Sequence, residues 1–162
     1  MNAKDVMRQV AEGSHMMVMA YVSDLAEQDL VVRSVPGTNH IAWQLGHMIG
    51  GTAKMIGELG LTPPEVPAGF AEAHSKEAAS CDDRSRFPKK AEYLAQLERM
   101  KAAILAAIDA TPEADFDKPG PESMREYAPT VGAALLILGQ HWMMHVGQFV
   151  PIRRKLGKPP LF

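Results

Sequence analysis

The feature that most constrains this chain is the stretch Val131 to Leu156, VGAALLILGQHWMMHVGQFVPIRRKL, which reads as one long buried helix. Thr130 can cap its start. Arg153, Arg154 and Lys155 complement the dipole of its last turn, and Gly157 with Pro159-Pro160 ends it. His141 and His145 are four apart, so they sit one above the other on one face. On spacing alone such a pair reads first as two core histidines. Their apolar company favours something more, because an unpaired buried polar ring costs about 1–3 kcal/mol. Two such rings side by side want a shared partner, and a metal ion is one. His47 is the best candidate for a third ligand. Three imidazoles would leave a coordination position open for water or substrate. Between His141 and His145 stand Trp142, Met143 and Met144, with no glutamate, which argues against zincin-type peptidase chemistry.

The rest of the chain offers three more long helices. The first is capped by Asn2, carries Asp5 in its first turn and runs to about Leu25. Its middle, Met16 to Val22, is apolar on every side and is expected to be buried all round, in part by a second subunit. Gly13 to Met16 spell GSHM, as some expression tags do, but they fall inside the helical pattern and read as native. The second helix spans His40 to Leu59, capped by Thr38 or Asn39 and closed by Gly60 and Pro63-Pro64. It places Trp43 beside His47. Gly50 and Gly51 lie mid-helix, each costing roughly 1 kcal/mol against alanine; close helix approach, or room near His47, would offset that. The third helix opens at Pro88 and ends near Ala110, with Tyr93, Leu97, Met100 and Ile104 on one face. Residues 61–87 and 111–129 are long connections, and the first is expected to cover the site. Four long helices and no convincing strand imply an all-α four-helix bundle forming a single domain over residues 1–162. Of the other histidines, His15 is expected to be satisfied or half-exposed, His40 to lie near the site or in solvent, and His74 to be exposed.

Composition narrows the function. A formal net charge of −2 gives no electrostatic reason to expect a nucleic-acid partner. The one cysteine, Cys81, rules out an intrachain disulfide, suits a cytoplasmic protein and is expected to be inert. The N-terminus lacks the apolar core of a signal peptide. The most apolar stretch is interrupted by Gln140, His141, His145 and Gln148, so no membrane span is expected. The 11 methionines read as adaptable core filler.

Three segments resemble one family: LGHM around His47, HWMMHVGQ from His141 to Gln148, and IRRKLGKPPLF at the C-terminus. Together with the helix order and the long connections, they make the whole chain similar to the DinB/YfiT-like superfamily of damage-inducible-type metalloenzymes. The resemblance implies an up-down-down-up bundle, frequently a homodimer, with a divalent metal at one end of the core. The family pattern of one histidine in the second helix and HxxxHxGQ in the fourth makes His47, His141 and His145 the metal triad. Where relatives often carry arginine after the last histidine, this chain has Val146, so a charge near the site is missing. Characterised relatives include thiol-dependent transferases and isomerases.

The reading is a divalent-metal enzyme (Zn, Ni, Fe or Mn), most plausibly a low-molecular-weight-thiol S-transferase acting on an electrophilic small molecule. Trp43, Trp142 and Gln148 are the expected pocket residues. Arg153 and Arg154 are candidates for a substrate carboxylate, though they also suit the helix dipole. No residue stands out as a general base. The alternative is a metal-binding bundle without catalysis, in a stress-related sensing or binding role. The plainest alternative is a bundle whose histidines only fill the core.

Overall fold

The computed structural model describes residues 1–161; Phe162, which ends both the C-terminal motif and the expected domain, lies outside the described residues. Among the described residues the fold is all-α, a bundle of four long helices whose first connection carries one short α-helix and two short 3-10 helices. Helix α1 spans Ala3–Ser23 and opens with a reciprocal cap: Asn2 Oδ1 accepts from the Asp5 N–H at 2.8 Å, and Asp5 Oδ2 accepts from the Asn2 N–H at 2.9 Å. Helix α2 spans Ile41–Glu58, α3 is the short turn Phe70–Ala73, α4 spans Lys90–Ala110, and α5 spans Val131–Lys155. Thr130 caps α5 through its hydroxyl as expected, and Gly60 and Gly157 take positive φ just past α2 and α5.

The cap of α2 differs from expectation. His40, not Thr38 or Asn39, performs it: Nδ1 accepts from the Trp43 N–H at 3.1 Å, and Nε2–H donates to the Cys81 carbonyl at 2.9 Å. Extended backbone at His40 puts an imidazole nitrogen where a capping oxygen would otherwise stand. Thr38 is used instead to close its own turn, donating to the Val35 carbonyl.

Contacts fix the helix directions. Gly139 packs on the backbone of Ala11, and Arg153 reaches Tyr21 and Asp24, so α1 and α5 run parallel. Lys4 reaches Asp109 while Lys90 reaches Ser23, so α4 runs opposite to α1. His145 meets Gln44 and Trp142 meets Thr52, so α2 runs opposite to α5. The order is therefore up-down-down-up, as the resemblance implied. The core between them is fully buried at Val18, Leu45, Ile49, Leu97, Leu138 and Phe149, each contributing about 1.5–3 kcal/mol of apolar burial.

Within one chain the apolar run of α1 is buried on one side only. Val18 and Val22 face the core, but Met16 is 57% exposed. Residues Gly13 to Met16 are helical, with Ser14 and His15 buried. Among the described residues no helix is long and apolar enough to cross a membrane.

Candidate metal centre

Helix α2 contributes His47 and helix α5 contributes His141 and His145. One ligand nitrogen from each ring lies within 4.8 Å of the other two. His145 is buried, and the other two rings are partly so. The Nε2 atoms of His141 and His145 are 3.1 Å apart. The His47 ring lies edge-on to both, with centroids 5.2 and 5.1 Å away. Trp43 stacks on His47 at 5.1 Å and an interplanar angle of 9°, held by its indole N–H donating to the Ser75 carbonyl at 2.8 Å. A Cβ at Gly51 would stand 3.4 Å from the His141 ring, in ordinary contact with it. A Cβ at Gly50 would meet nothing within 4 Å, so the room expected of the mid-helix glycines is not what either one supplies.

Protonation favours ligation. Burial holds His141 down to about 4, with His47 as the lesser cause. Burial holds His145 down to about 3, helped by His141 and His47, and it lowers His47 as well. All three rings are thus neutral near pH 7, the form that binds metal.

The residues fit a divalent ion on their own chemistry. Nitrogens sharing one tetrahedral zinc, each about 2.0–2.1 Å from it, lie about 3.3 Å apart, close to the observed His141–His145 separation. The ring's other nitrogen, His141 Nδ1, is buried and has no hydrogen-bond partner among the described residues.

A cavity of about 600 Å3 opens beside His47 and His141. It follows α2 forward from His47 to Glu58 and α5 backward from Met144 to Ile137. Met55, Ile137 and Met144 give it an apolar wall. At its far end Glu58 accepts from Ser123 at 2.6 Å and lies 3.7 Å from Lys54.

The expected pocket residues fare differently. Trp43 backs His47 without lining the cavity. Trp142 is fully buried, its indole N–H donating to Thr52 at 2.9 Å inside the core. Neighbouring helical residues point about 100° apart, so Trp142 cannot share the face of His141. Gln148 is exposed and outside the cavity, which extends from the histidines toward the start of α5, not its end. Arg153 is 3% exposed and bonds Asp24 and the Tyr21 carbonyl, away from the cavity.

Nor does the first connection line the cavity; Ser123 and Tyr127 of the second connection do. The first is anchored elsewhere by His74, which is buried rather than exposed. Its Nδ1–H donates to the Phe70 carbonyl and its Nε2 accepts from the Tyr93 hydroxyl, both at 2.6 Å. The ring fills a space kept by Gly46, where a Cβ would come within 1.9 Å of it. His15 is buried with Nε2 3.1 Å from Glu98, but not aligned for a hydrogen bond.

Sequence reasoning missed Gln44. It is 1% exposed; its Oε1 lies 3.0 Å from His145 Nδ1, and its Nε2 donates to the Asn39 carbonyl at 2.8 Å. The signal available was a lone amide on an apolar helix face, one turn before His47.

A family model described as the DinB superfamily matches residues 11–149. The crystal structure of a conserved protein from Enterococcus faecalis is similar over 98% of this chain and 99% of that one, with a TM-score of 0.78 at 16% identity; that likeness concerns the fold. No curated protein matches the chain.

Proposed function

The chain belongs to the DinB superfamily, and we propose that it is a divalent-metal-dependent enzyme, a low-molecular-weight-thiol S-transferase acting on an electrophilic small molecule. The observation that carries this reading is the convergence of three neutral ring nitrogens on the wall of a cavity large enough for a small molecule. His47, His141 and His145 would hold the ion, be it zinc, nickel, iron or manganese. Bound there, the ion would act as a Lewis acid that lowers the pKa of a thiol at its open position.

The chain's own residues do the rest. Trp43 fixes the plane of His47. Met55, Ile137 and Met144 exclude water around an apolar substrate body. Lys54 and Glu58 meet polar groups at the far end of the cavity. In the reaction the thiol sulfur bonds an electrophilic carbon, the bond to the leaving group breaks, and the thiol proton passes to solvent. Metal-dependent loss of thiol against a panel of electrophiles tests this; no turnover with any cellular thiol, in protein shown to hold metal, would count against it.

A second reading is a metal-binding bundle that senses or stores without catalysis. It is favoured by the engagement of Glu58, the carboxylate in the cavity wall, with Ser123 and Lys54, which leaves no free general base there. Metal-loaded protein that admits no added thiol would select it. A homodimer belongs to the same proposal; the exposed Met16, Met143 and Met144 support it, and sedimentation velocity tests it.

A further inference from the structure

We infer that Gln44 is a positioning residue for the histidine centre: its amide oxygen fixes His145 as the Nδ1–H tautomer and so turns the bare Nε2 toward His141. The Asn39 carbonyl can only accept, so the end of the Gln44 amide that meets it at 2.8 Å is the NH2 group. That leaves the amide oxygen for His145 Nδ1, at 3.0 Å. An oxygen acceptor at that distance requires a proton on Nδ1. A neutral imidazole carries one proton, so Nε2 is left with its lone pair. That atom faces His141 Nε2 at 3.1 Å.

Burial makes the arrangement firm. Gln44 is 1% exposed and His145 is 5% exposed, so water does not compete for either bond. Reversing the tautomer would set the Gln44 oxygen against a bare Nδ1 and leave two lone pairs facing each other in the core. The chain of contacts runs from the turn before α2, through Gln44, to a ring on α5. The loop that sets the start of α2 therefore also sets which nitrogen of His145 is available. A partner of this kind also raises the basicity of a ligating imidazole, and losing one typically costs about 10–100-fold in metal affinity. Because the partner is an amide and not a carboxylate, it adds no negative charge to the centre.

The affinity half of this inference rests on the metal-dependent reading; the tautomer half does not. The test uses metal-free full-length protein labelled with 15N, in which long-range 1H–15N spectra distinguish a protonated from a bare ring nitrogen, and then a zinc titration against a chelator. In wild type, His145 shows a protonated Nδ1 and a bare Nε2. Gln44→Leu loses that preference and binds zinc about 10–100-fold more weakly. Gln44→Glu keeps an oxygen opposite Nδ1 and, protonated at its other oxygen, a donor to the Asn39 carbonyl, so it retains both the tautomer and tight zinc binding. A wild-type His145 protonated on Nε2 overturns the inference without any variant needing to fold. So does a folded Gln44→Leu with unchanged tautomer and zinc affinity. A wild type with the Nδ1 proton that takes up no zinc upholds the tautomer and overturns the affinity half, together with the metal reading beneath it.

Discussion

The molecule holds two clusters of buried histidine, and they differ in how their nitrogens are used. In the first, His40 and His74 have protein partners for every ring nitrogen: the Trp43 N–H and Cys81 carbonyl for one, the Phe70 carbonyl and Tyr93 hydroxyl for the other. In the second, His141 and His145 turn Nε2 atoms toward each other, His141 Nδ1 has no hydrogen-bond partner among the described residues, and His47 closes the group edge-on. Both clusters are desolvated, and burial is the first cause of lowered basicity in each. Burial alone therefore does not mark a functional histidine. The mark is a group of desolvated ring nitrogens that converge on one another beside a cavity. A cavity adjoins the second cluster through His47 and His141, while His74 is packed against Gly46.

The comparison breaks most readily at the ligands. His47→Ala, His141→Ala and His145→Ala should each abolish metal uptake while the helical circular-dichroism spectrum persists. His74→Ala should leave metal content unchanged; elemental analysis of the four variants decides. If His74→Ala also lost the metal, the two clusters would not be separate.

Acid should act on both clusters together. Their rings are held below the ordinary histidine value of 6.5, with His141 at about 4 and His145 at about 3. Below 6.5 the unfolded chain binds protons that the folded chain refuses, so stability falls with pH. In metal-free protein the contribution is fully present above about pH 6.5 and is lost progressively as pH drops toward the folded values. Denaturant midpoints between pH 8 and pH 4 check this; a flat profile would mean that the rings are not desolvated as described.

Stability should separate the clusters in the other direction. His74→Ala removes a packed ring and strands the Tyr93 hydroxyl, for a loss of about 3–4 kcal/mol. Tyr93→Phe strands only the His74 nitrogen, for about 1–3 kcal/mol. Both should show in urea melts without a change in zinc affinity.

The smallest contrast lies between two glycines of α2. Gly46→Ala forces a Cβ into the His74 ring and should cost about 1–3 kcal/mol. Gly51→Ala places its Cβ in ordinary contact with His141, so helix propensity should prevail and stabilise metal-free protein by up to about 1 kcal/mol. Equal effects at the two positions would contradict the packing described here.

Much of this was legible in the chain because it depends on neighbours in sequence. The Asn2–Asp5 cap, the Thr130 cap, the glycines after α2 and α5 and the i, i+4 register of His141 and His145 are all local. The misplacement of Trp142 was avoidable, since adjacent helical residues diverge and only one of Trp142 and His141 can face the site. What could not be read are contacts between distant segments. Gln44 matters because α5 brings His145 beside it, and a lone amide on an apolar face of α2 does not name that partner. His74 looks like a loop residue until Gly46 and Tyr93 surround it. The cavity's direction, toward the start of α5 and away from Gln148, depends on how α2 and the second connection pack.

The most direct test of the central claim is the metal content of untagged protein purified without a chelating column, measured for wild type and for His141→Ala. About one divalent ion per wild-type chain is expected, consistent with a single three-histidine centre, and none in the folded variant. Wild-type protein that is metal-free and takes up neither zinc, nickel nor manganese would contradict it and return all three histidines to the core.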